Sequence, residues 1–189
     1  MASLQITSTK ELDQAVQSVR AGAERTVRAL RALLANESDS LQVLRLLKFS
    51  DSARPPGGER SLNLIEQVNQ TLTSLARLQA ARWLLLQHSE LLQQGLRIQL
   101  GPHVGFDLQS VAVGLLAAEV FAASHPGRHD RLRQDVARLV GVPDVLHRYV
   151  LFSCPGFALG RQLELETEPG ITVWSLPADH FARLEKSQN

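Results

Sequence analysis

The chain contains very little cysteine and lysine, and it has no long apolar run. Cys154 is the single cysteine among 189 residues, so an internal disulfide is impossible and a cytoplasmic location is the natural expectation. The longest apolar stretches, residues 83–86 and 111–123, are too short or too interrupted to cross a bilayer. The polar first ten residues lack the apolar segment of a secretory signal. We therefore expect no membrane association.

Several motifs with known chemistry are also missing. The sequence has no Gly-rich phosphate loop ending in Lys-Ser/Thr, no Gly-x-Gly-x-x-Gly, no His-Glu-x-x-His and no Gly-x-Ser-x-Gly. The formal net charge of +1 neither favours nor excludes nucleic acid. The only lysines are Lys10, Lys48 and Lys186, so nearly all positive charge is arginine. Arginine suits bidentate contacts with phosphate or carboxylate, although a GC-rich genome explains the same bias.

The apolar pattern predicts long helices in the first half of the chain and short strands in the second. Apolar residues at three- and four-residue spacing predict helices over 8–35, 40–48, 64–92 and 128–140. Alternating or continuous short apolar runs predict strands over 96–100, 104–109, 114–122, 149–152 and 171–176. Ser8 with Glu11 forms a capping-box pattern, Gly95 is a helix stop signal, and Pro177 is placed to begin a terminal helix.

This order of elements predicts an α/β protein with a mixed sheet and helices on its faces. Residues 1–50 are expected to form an N-terminal helical extension. Residues 51–61 contain Pro55-Pro56-Gly57-Gly58 and are expected to form a loop. Residues 62–189 are then the α/β core.

Two carboxylates stand out because they lie in predicted strands. Asp107 belongs to the second strand, and Glu119 belongs to the otherwise apolar third strand. A carboxylate in such a run is costly to bury unless it is paired, hydrogen-bonded or bound to a metal. If these strands form a hairpin around residues 111–114, the two side chains face each other at roughly 5 Å. A divalent cation is one way to hold two like charges there.

The helix followed by three strands, with Asp107 on the second strand and Glu119 on the third, resembles the core of the PD-(D/E)xK nuclease superfamily, which has a restriction-endonuclease-like fold. The resemblance covers roughly residues 62–176. It implies a metal-dependent hydrolase that cuts phosphodiester bonds of nucleic acid, often in DNA processing or defence. It also implies that Asp107 and Glu119 are catalytic and bind Mg²⁺ or Mn²⁺, with Glu66 from the preceding helix as a third ligand.

The chain departs from the superfamily pattern at one position. The residue two after Glu119 should be lysine, and it is Phe121. In some members the basic residue lies on the following helix, where this chain has Arg128, Arg131 and Arg133. Arginine holds a phosphate well but exchanges a proton with water poorly. Along the same helix, Arg128, Arg131 and Arg138 are candidates to bind substrate phosphate.

Each of these residues also has a simpler interpretation. Glu66 follows Asn63 by three positions and can complete a capping box. Asp107 can bond turn backbone at a strand end, and Glu119 can pair with an arginine of a covering helix. The arginine-bearing face of the helix can simply be solvated. His125 and His129 have the four-residue spacing of zinc ligands, but Pro126-Gly127 lies between them and argues against a zinc site.

Three functional hypotheses follow. The first is a metal-dependent nuclease, and the second is a catalytically degenerate relative that acts as a binding or regulatory subunit. The third is a helical interaction protein. The N-terminal helices could pair two copies into a homodimer or bind another protein under any of the three.

Overall fold

The computed structural model describes residues 3–50, 62–101, 104–123, 129–154 and 156–177. The elements are β1 (Ser3–Ile6), α1 (Thr9–Asn36), α2 (Ser40–Phe49), α3 (Leu64–Gln87), α4 (Glu90–Gln94), β2 (Leu96–Gln99), β3 (Leu108–Ser110), β4 (Leu116–Ala122), α5 (His129–Val140), β5 (His147–Ser153), β6 (Gly160–Arg161) and β7 (Ile171–Ser175).

The strands of the described residues form one seven-stranded mixed sheet in the order β1-β2-β3-β4-β5-β7-β6. Helices α1 and α3 cover one face and α5 covers the other. The predicted α/β class with a mixed sheet between helices is therefore confirmed.

Helix α1 begins where the sequence predicts it. The Ser8 side chain accepts from the Glu11 amide, and the Glu11 carboxylate accepts from the Ser8 amide, which completes the capping box. Its apolar stripe packs on α3 and the sheet through Leu12 and Val16, which are buried. Near the middle of α1, the Thr26 hydroxyl donates to Gln67 Oε1 of α3 at 2.9 Å. The two helices are thus held together by both apolar and polar contacts.

Helix α3 ends earlier than predicted. The expected helix over 64–92 stops at Gln87, and a separate short helix, α4, follows. His88 leaves helical geometry (φ −130°, ψ 80°), and its ring bonds to Tyr149 of β5. The apolar spacing continues through Leu91 and Leu92, so periodicity alone could not reveal the break. The predicted stop at Gly95 is confirmed, because Gly95 caps α4 with φ 87°.

Strands β2, β3 and β4 form an antiparallel meander, and α5 crosses over to β5, which pairs parallel with β4. Strand β7 then adds parallel to β5. Two predicted strands are shorter in the structure: the one over 104–109 begins only at Leu108, and the one over 114–122 begins at Leu116. The predicted loop 51–61, Arg128, and the helix expected after Pro177 lie outside the described residues.

Two edge strands were not predicted. β1 pairs antiparallel with β2, and the two-residue β6 pairs antiparallel with β7. The first 50 residues, expected to be a helical extension, therefore also contribute a strand to the sheet, and α1 shares its core. Strand β1 has only four residues, too few for a clear alternating pattern beside a long helix.

The core has two layers, one on each face of the sheet. Leu116, Ala118 and Val120 of β4 face α1 and α3, whereas Ala117 faces α5. Strands buried on both faces read as continuous apolar runs, which explains the composition of β4. Trp83 and Trp174 pack against the α3 layer with ring centroids 4.8 Å apart. No helix among the described residues is long and apolar enough to cross a membrane.

Candidate functional site: a buried cluster of carboxylates and arginines

Asp107 lies immediately before β3, at the point where the strand separates from its neighbour. Its backbone carbonyl accepts from the Gln99 amide at 2.9 Å. Its side chain turns inward, is almost fully buried, and accepts from the Val120 amide through Oδ2 at 2.8 Å. The Val120 amide of β4 thus donates to the Asp107 side chain and not to a backbone carbonyl of the neighbouring strand. The sequence predicted a strand residue here, and the structure places Asp107 one position outside the strand.

Asp107, immediately before β3, lies opposite Glu119 of β4. The β3–β4 register pairs Leu108 with Ala118 and Gln109 with Ala117, and one further step along both strands brings 107 opposite 119. Cross-strand neighbours share a face of the sheet. The hairpin predicted from the sequence therefore brings the two carboxyl groups together.

Glu119 is fully buried, with 0% of its surface exposed. Its Oε1 lies 3.0 Å from Arg138 Nη1 of α5. Among the described residues, no aligned N–H or O–H group donates a hydrogen bond to either Glu119 oxygen. Burial and the negative charges of Asp107 and Asp135 raise the pKa of Glu119 to about 8, although Arg138 opposes the rise. The folded chain therefore favours the protonated form of Glu119.

Helix α5 supplies a third buried carboxylate. Asp135 is almost fully buried, and its Oδ2 accepts from Arg131 Nε at 3.0 Å. Burial raises the pKa of Asp135, while the charge of Arg131 lowers it. Arg131, Asp135 and Arg138 share one side of α5 because they are four and three residues apart. The Arg138 guanidinium also donates to the Gly105 carbonyl, which ties α5 to the loop before Asp107.

Arg77 of α3 reaches Asp107 from the other helical layer. Its Nη2 donates to Asp107 Oδ1, and its Nη1 donates to the Gln99 carbonyl at 2.8 Å. Sequence reasoning missed Arg77, although a signal existed. Residues 76–81 of α3 are all buried, and a helix that is apolar around an arginine predicts a buried charge with a partner.

Asp135 was missed for a related reason. It lies three residues after Leu132 and directly before Val136, both of which are buried on the apolar face of α5. An acid on the apolar face of a helix predicts a buried charge with a partner, as an arginine in a buried helix does. The arginines of α5 were assigned to substrate phosphate, and the buried acid between them was given no role.

Glu66, the third metal ligand that the resemblance implies, caps the start of α3. Its carboxylate accepts from the Asn63 amide at 3.2 Å, and Asn63 Oδ1 accepts from the Glu66 amide at 2.8 Å, which completes a capping box at the start of α3. Glu66 precedes Arg77 by three helical turns, about 16 Å along the axis. Capping therefore occupies this carboxylate, and we leave Glu66 out of the proposed metal site.

Phe121 lies two residues after Glu119, where the resemblance to PD-(D/E)xK nucleases implies a lysine. Its ring stacks on Phe152 of β5 with centroids 5.3 Å apart and ring planes 8° apart. Because Phe121 is two residues after Glu119 on the same strand, both side chains project to the α5 face. The stacked rings of Phe121 and Phe152 therefore lie beside the carboxylates, at the position where the resemblance implies a basic side chain.

The cluster around Asp107 and Glu119 alternates acids with arginines. Each of the three buried carboxylates has an arginine partner: Arg77 for Asp107, Arg138 for Glu119 and Arg131 for Asp135. The Arg131 and Arg138 side chains remain about half exposed, so the α5 side of the cluster is accessible from solvent. The arrangement can hold a cation between the acids, bind a phosphate at the arginines, or remain a neutral ionic network. Arg128 lies outside the described residues.

The chain matches no protein-family model, no curated protein and no solved structure.

Proposed function

We propose that this chain hydrolyses phosphodiester bonds of nucleic acid, with Asp107 and Glu119 holding a Mg²⁺ or Mn²⁺ ion. The observation that carries the proposal is the pair itself: Asp107, immediately before β3, lies opposite Glu119 of β4, and the Glu119 oxygens lack aligned donors. Hard divalent cations prefer carboxylate oxygens, so a cation there would satisfy Glu119 and could share the oxygens of Asp107 with their hydrogen-bond donors. When bound, such an ion supplies an activated water and neutralises phosphate charge.

The arginines of α5 support the same proposal. Arg131 and Arg138 present half-exposed guanidinium groups beside the acids. A guanidinium binds two phosphate oxygens in one plane, so these residues can hold a phosphodiester against the carboxylates. Arginine stays protonated, so we assign it to substrate positioning and not to proton transfer.

The connectivity around the site also agrees with the proposed class. A helix, an antiparallel three-strand meander, and a helical crossover to a parallel strand are what the resemblance to PD-(D/E)xK nucleases implies, and α3, β2–β4, α5 and β5 follow that order. We include the restriction-endonuclease-like fold in the proposal on this ground.

A cleavage assay tests the proposal. Circular, linear and single-stranded DNA and RNA are incubated with the protein and Mg²⁺ or Mn²⁺, and with EDTA as the metal-free control. Glu119→Gln keeps the shape of the side chain and removes its charge, and Glu24→Gln makes the same change on an exposed face of α1. We expect metal-dependent cutting that Glu24→Gln retains and Glu119→Gln loses. Equal cutting by both variants, or none by the native protein, would refute the proposed activity.

Binding or regulation without catalysis is the second candidate function. All three buried acids are paired with arginine, and an apolar stack fills the lysine position. Such a network is suited to binding or regulation without catalysis. In that case the native protein would bind labelled DNA or RNA in EDTA without cutting it. Arg138→Gln would weaken this binding, and Arg133→Gln, on an exposed position of the same helix, would serve as its control.

The second helix carries the exposed apolar residues that a protein partner would need. No residue of α2 is buried, and Leu41 and Phe49 are more than three-quarters exposed. Exposed apolar patches of this kind mark interaction surfaces. The homodimer or partner complex predicted from the N-terminal helices therefore remains a proposal, and sedimentation of the native protein against Leu41→Lys/Phe49→Lys tests the homodimer.

A further inference from the structure

A second group of possible metal ligands lies on the other face of the sheet. His88 caps the C-terminus of α3, Glu90 begins α4, and His147 begins β5. On β5, Tyr149 packs in the α3 layer while Val150 packs in the α5 layer, so His147 shares the α3 side with Tyr149. This group is therefore separated by the sheet from Asp107 and Glu119, and it does not depend on the proposed nuclease function.

The three side chains converge on one point. One ligand atom from each of His88, Glu90 and His147 can be chosen so that all three atoms lie within 4.8 Å of one another. His88 Nδ1 lies 3.4 Å from Glu90 Oε1, and the two imidazole rings have centroids 4.2 Å apart. Two ligands of a tetrahedral zinc ion, at ordinary Zn–N and Zn–O lengths, are about 3.4 Å apart. At an octahedral right angle they would be about 2.9 Å apart, so the separation of His88 Nδ1 and Glu90 Oε1 matches the tetrahedral value.

Tyr149 supplies an outer contact of the kind that metal-binding histidines use. Its hydroxyl lies 2.8 Å from His88 Nε2. When Nε2 carries the proton and donates it to the Tyr149 oxygen, Nδ1 presents a lone pair toward Glu90. Such outer-shell partners fix the tautomer and orientation of a ligating histidine. The same contact holds the His88 ring against β5, where His147 begins.

We propose that His88, Glu90 and His147 form a mononuclear Zn²⁺ site, with water in a fourth position. Two imidazoles and one carboxylate are a donor set that zinc takes when it keeps one position open. His88 is buried, whereas the Glu90 side chain is 42% exposed, so the ion and the water enter from the Glu90 side.

Calorimetric titration of the untagged full chain with ZnCl₂ tests this site. The stoichiometry is measured in Glu119→Gln, which removes the other proposed cation site. We expect one Zn²⁺ per chain of this variant and visible d–d bands of tetrahedral type when Co²⁺ replaces it. His147→Ala should weaken zinc binding by more than tenfold, and Tyr149→Phe should weaken it by roughly 10–100-fold, as other outer-shell losses do. Glu90→Gln changes one atom at a part-exposed position, so it keeps the test valid if a histidine variant fails to fold.

Two control variants separate this site from its competitors. His129→Ala removes a histidine at the start of α5, the residue that shares zinc-like spacing with His125 in the sequence. Glu24→Gln makes the same change as Glu90→Gln at an exposed position of α1. Both should bind zinc with native affinity. No zinc binding by the native chain, native affinity in Glu90→Gln and His147→Ala, or loss of binding in either control variant would overturn the assignment.

Discussion

Arg77 in the middle of α3 forms a buried ion pair with Asp107, and both side chains are at least nine-tenths buried. Removing one partner of such a pair leaves an uncompensated charge, which costs about 3–5 kcal/mol. We expect Asp107→Asn to lower the free energy of unfolding by that amount in urea titrations. The double variant Arg77→Met/Asp107→Asn should recover a large part of the loss, because no charge is then left alone.

The exposed pair between Arg82 and Asp13 provides a matched control for this measurement. It also joins an arginine of α3 to an aspartate, but the Asp13 side chain is 58% exposed. Exposed ion pairs contribute about 0–1 kcal/mol, so Asp13→Asn should cost no more than that. A small effect of Asp107→Asn, similar to that of Asp13→Asn, would contradict the assignment of a buried pair.

The raised pKa of Glu119 predicts how metal-free stability changes with pH. The pKa rises from 4.5 to about 8 on folding, so the folded chain holds a proton that the unfolded chain releases between these values. Its contribution to stability is complete below about pH 4.5 and is lost as pH rises through about 8. Stability of the native chain relative to Glu119→Gln should therefore fall across this window, by a few kcal/mol at about 1.4 kcal/mol per pKa unit.

The stability of the native chain is compared with that of Glu119→Gln because the other ionisable groups titrate in both proteins, so their contributions cancel in the difference. Asp107, Asp135, Arg77, Arg131 and Arg138 surround Glu119 and remain in the variant. Thermal or urea unfolding in EDTA at several pH values gives the difference directly. A difference that stays constant from pH 5 to about 8 would show that Glu119 ionises normally in the folded chain.

Replacing Phe121 with lysine tests whether the proposed cleavage is slowed by the lack of a basic side chain at this position. Lysine can lay its alkyl stem on the Phe152 ring and bring its ammonium toward the carboxylates. If the proposed activity is correct, Phe121→Lys should raise the metal-dependent cleavage rate, at a stability cost of about 0.5–1.5 kcal/mol for the lost aromatic pair. Phe121→Met, which is apolar and has no base, controls for the lost stack. Equal rates in the two variants would mean that no proton transfer is missing at this position.

The two roles considered for Glu66 predict different outcomes. Glu66→Gln keeps an oxygen that can accept from the Asn63 amide, so a capping role predicts a stability change within a few tenths of a kcal/mol and unchanged metal affinity. Asn63→Ala removes the main cap and should cost about 1 kcal/mol. Calorimetric titration with Mn²⁺ measures the affinity of each variant. A loss of Mn²⁺ affinity in Glu66→Gln alone would return Glu66 to the metal site.

The sequence was informative where one periodicity dominates. The start of α1 at Ser8, the stop at Gly95 and the opposition of Asp107 and Glu119 all follow from spacing and local chemistry. The break at His88 did not, because it depends on a contact with Tyr149, which is distant in the chain. The His88–Glu90–His147 group was missed for the same reason, because one of its three residues, His147, is distant in the chain from the other two.

The cluster around Glu119 shows a second limit of sequence reasoning. The acids could be found because they interrupt an apolar strand, but their partners could not be assigned. Three arginines from two helices neutralise them, and which arginine meets which acid depends on how α3 and α5 pack on the sheet. Packing of distant elements is not encoded in local spacing, so the charge balance of the cluster became visible only in three dimensions.

The pairing of β1 with β2 has a consequence for biosynthesis. Ile6 pairs with Leu96, so the first strand leaves the ribosome long before its partner exists. At about 5–20 residues per second, the roughly 90 intervening residues take about 5–20 s to synthesise. During that interval β1 has no sheet edge to join, while α1 can form locally. The nascent chain must therefore keep Ser3–Ile6 from pairing elsewhere until the meander has emerged.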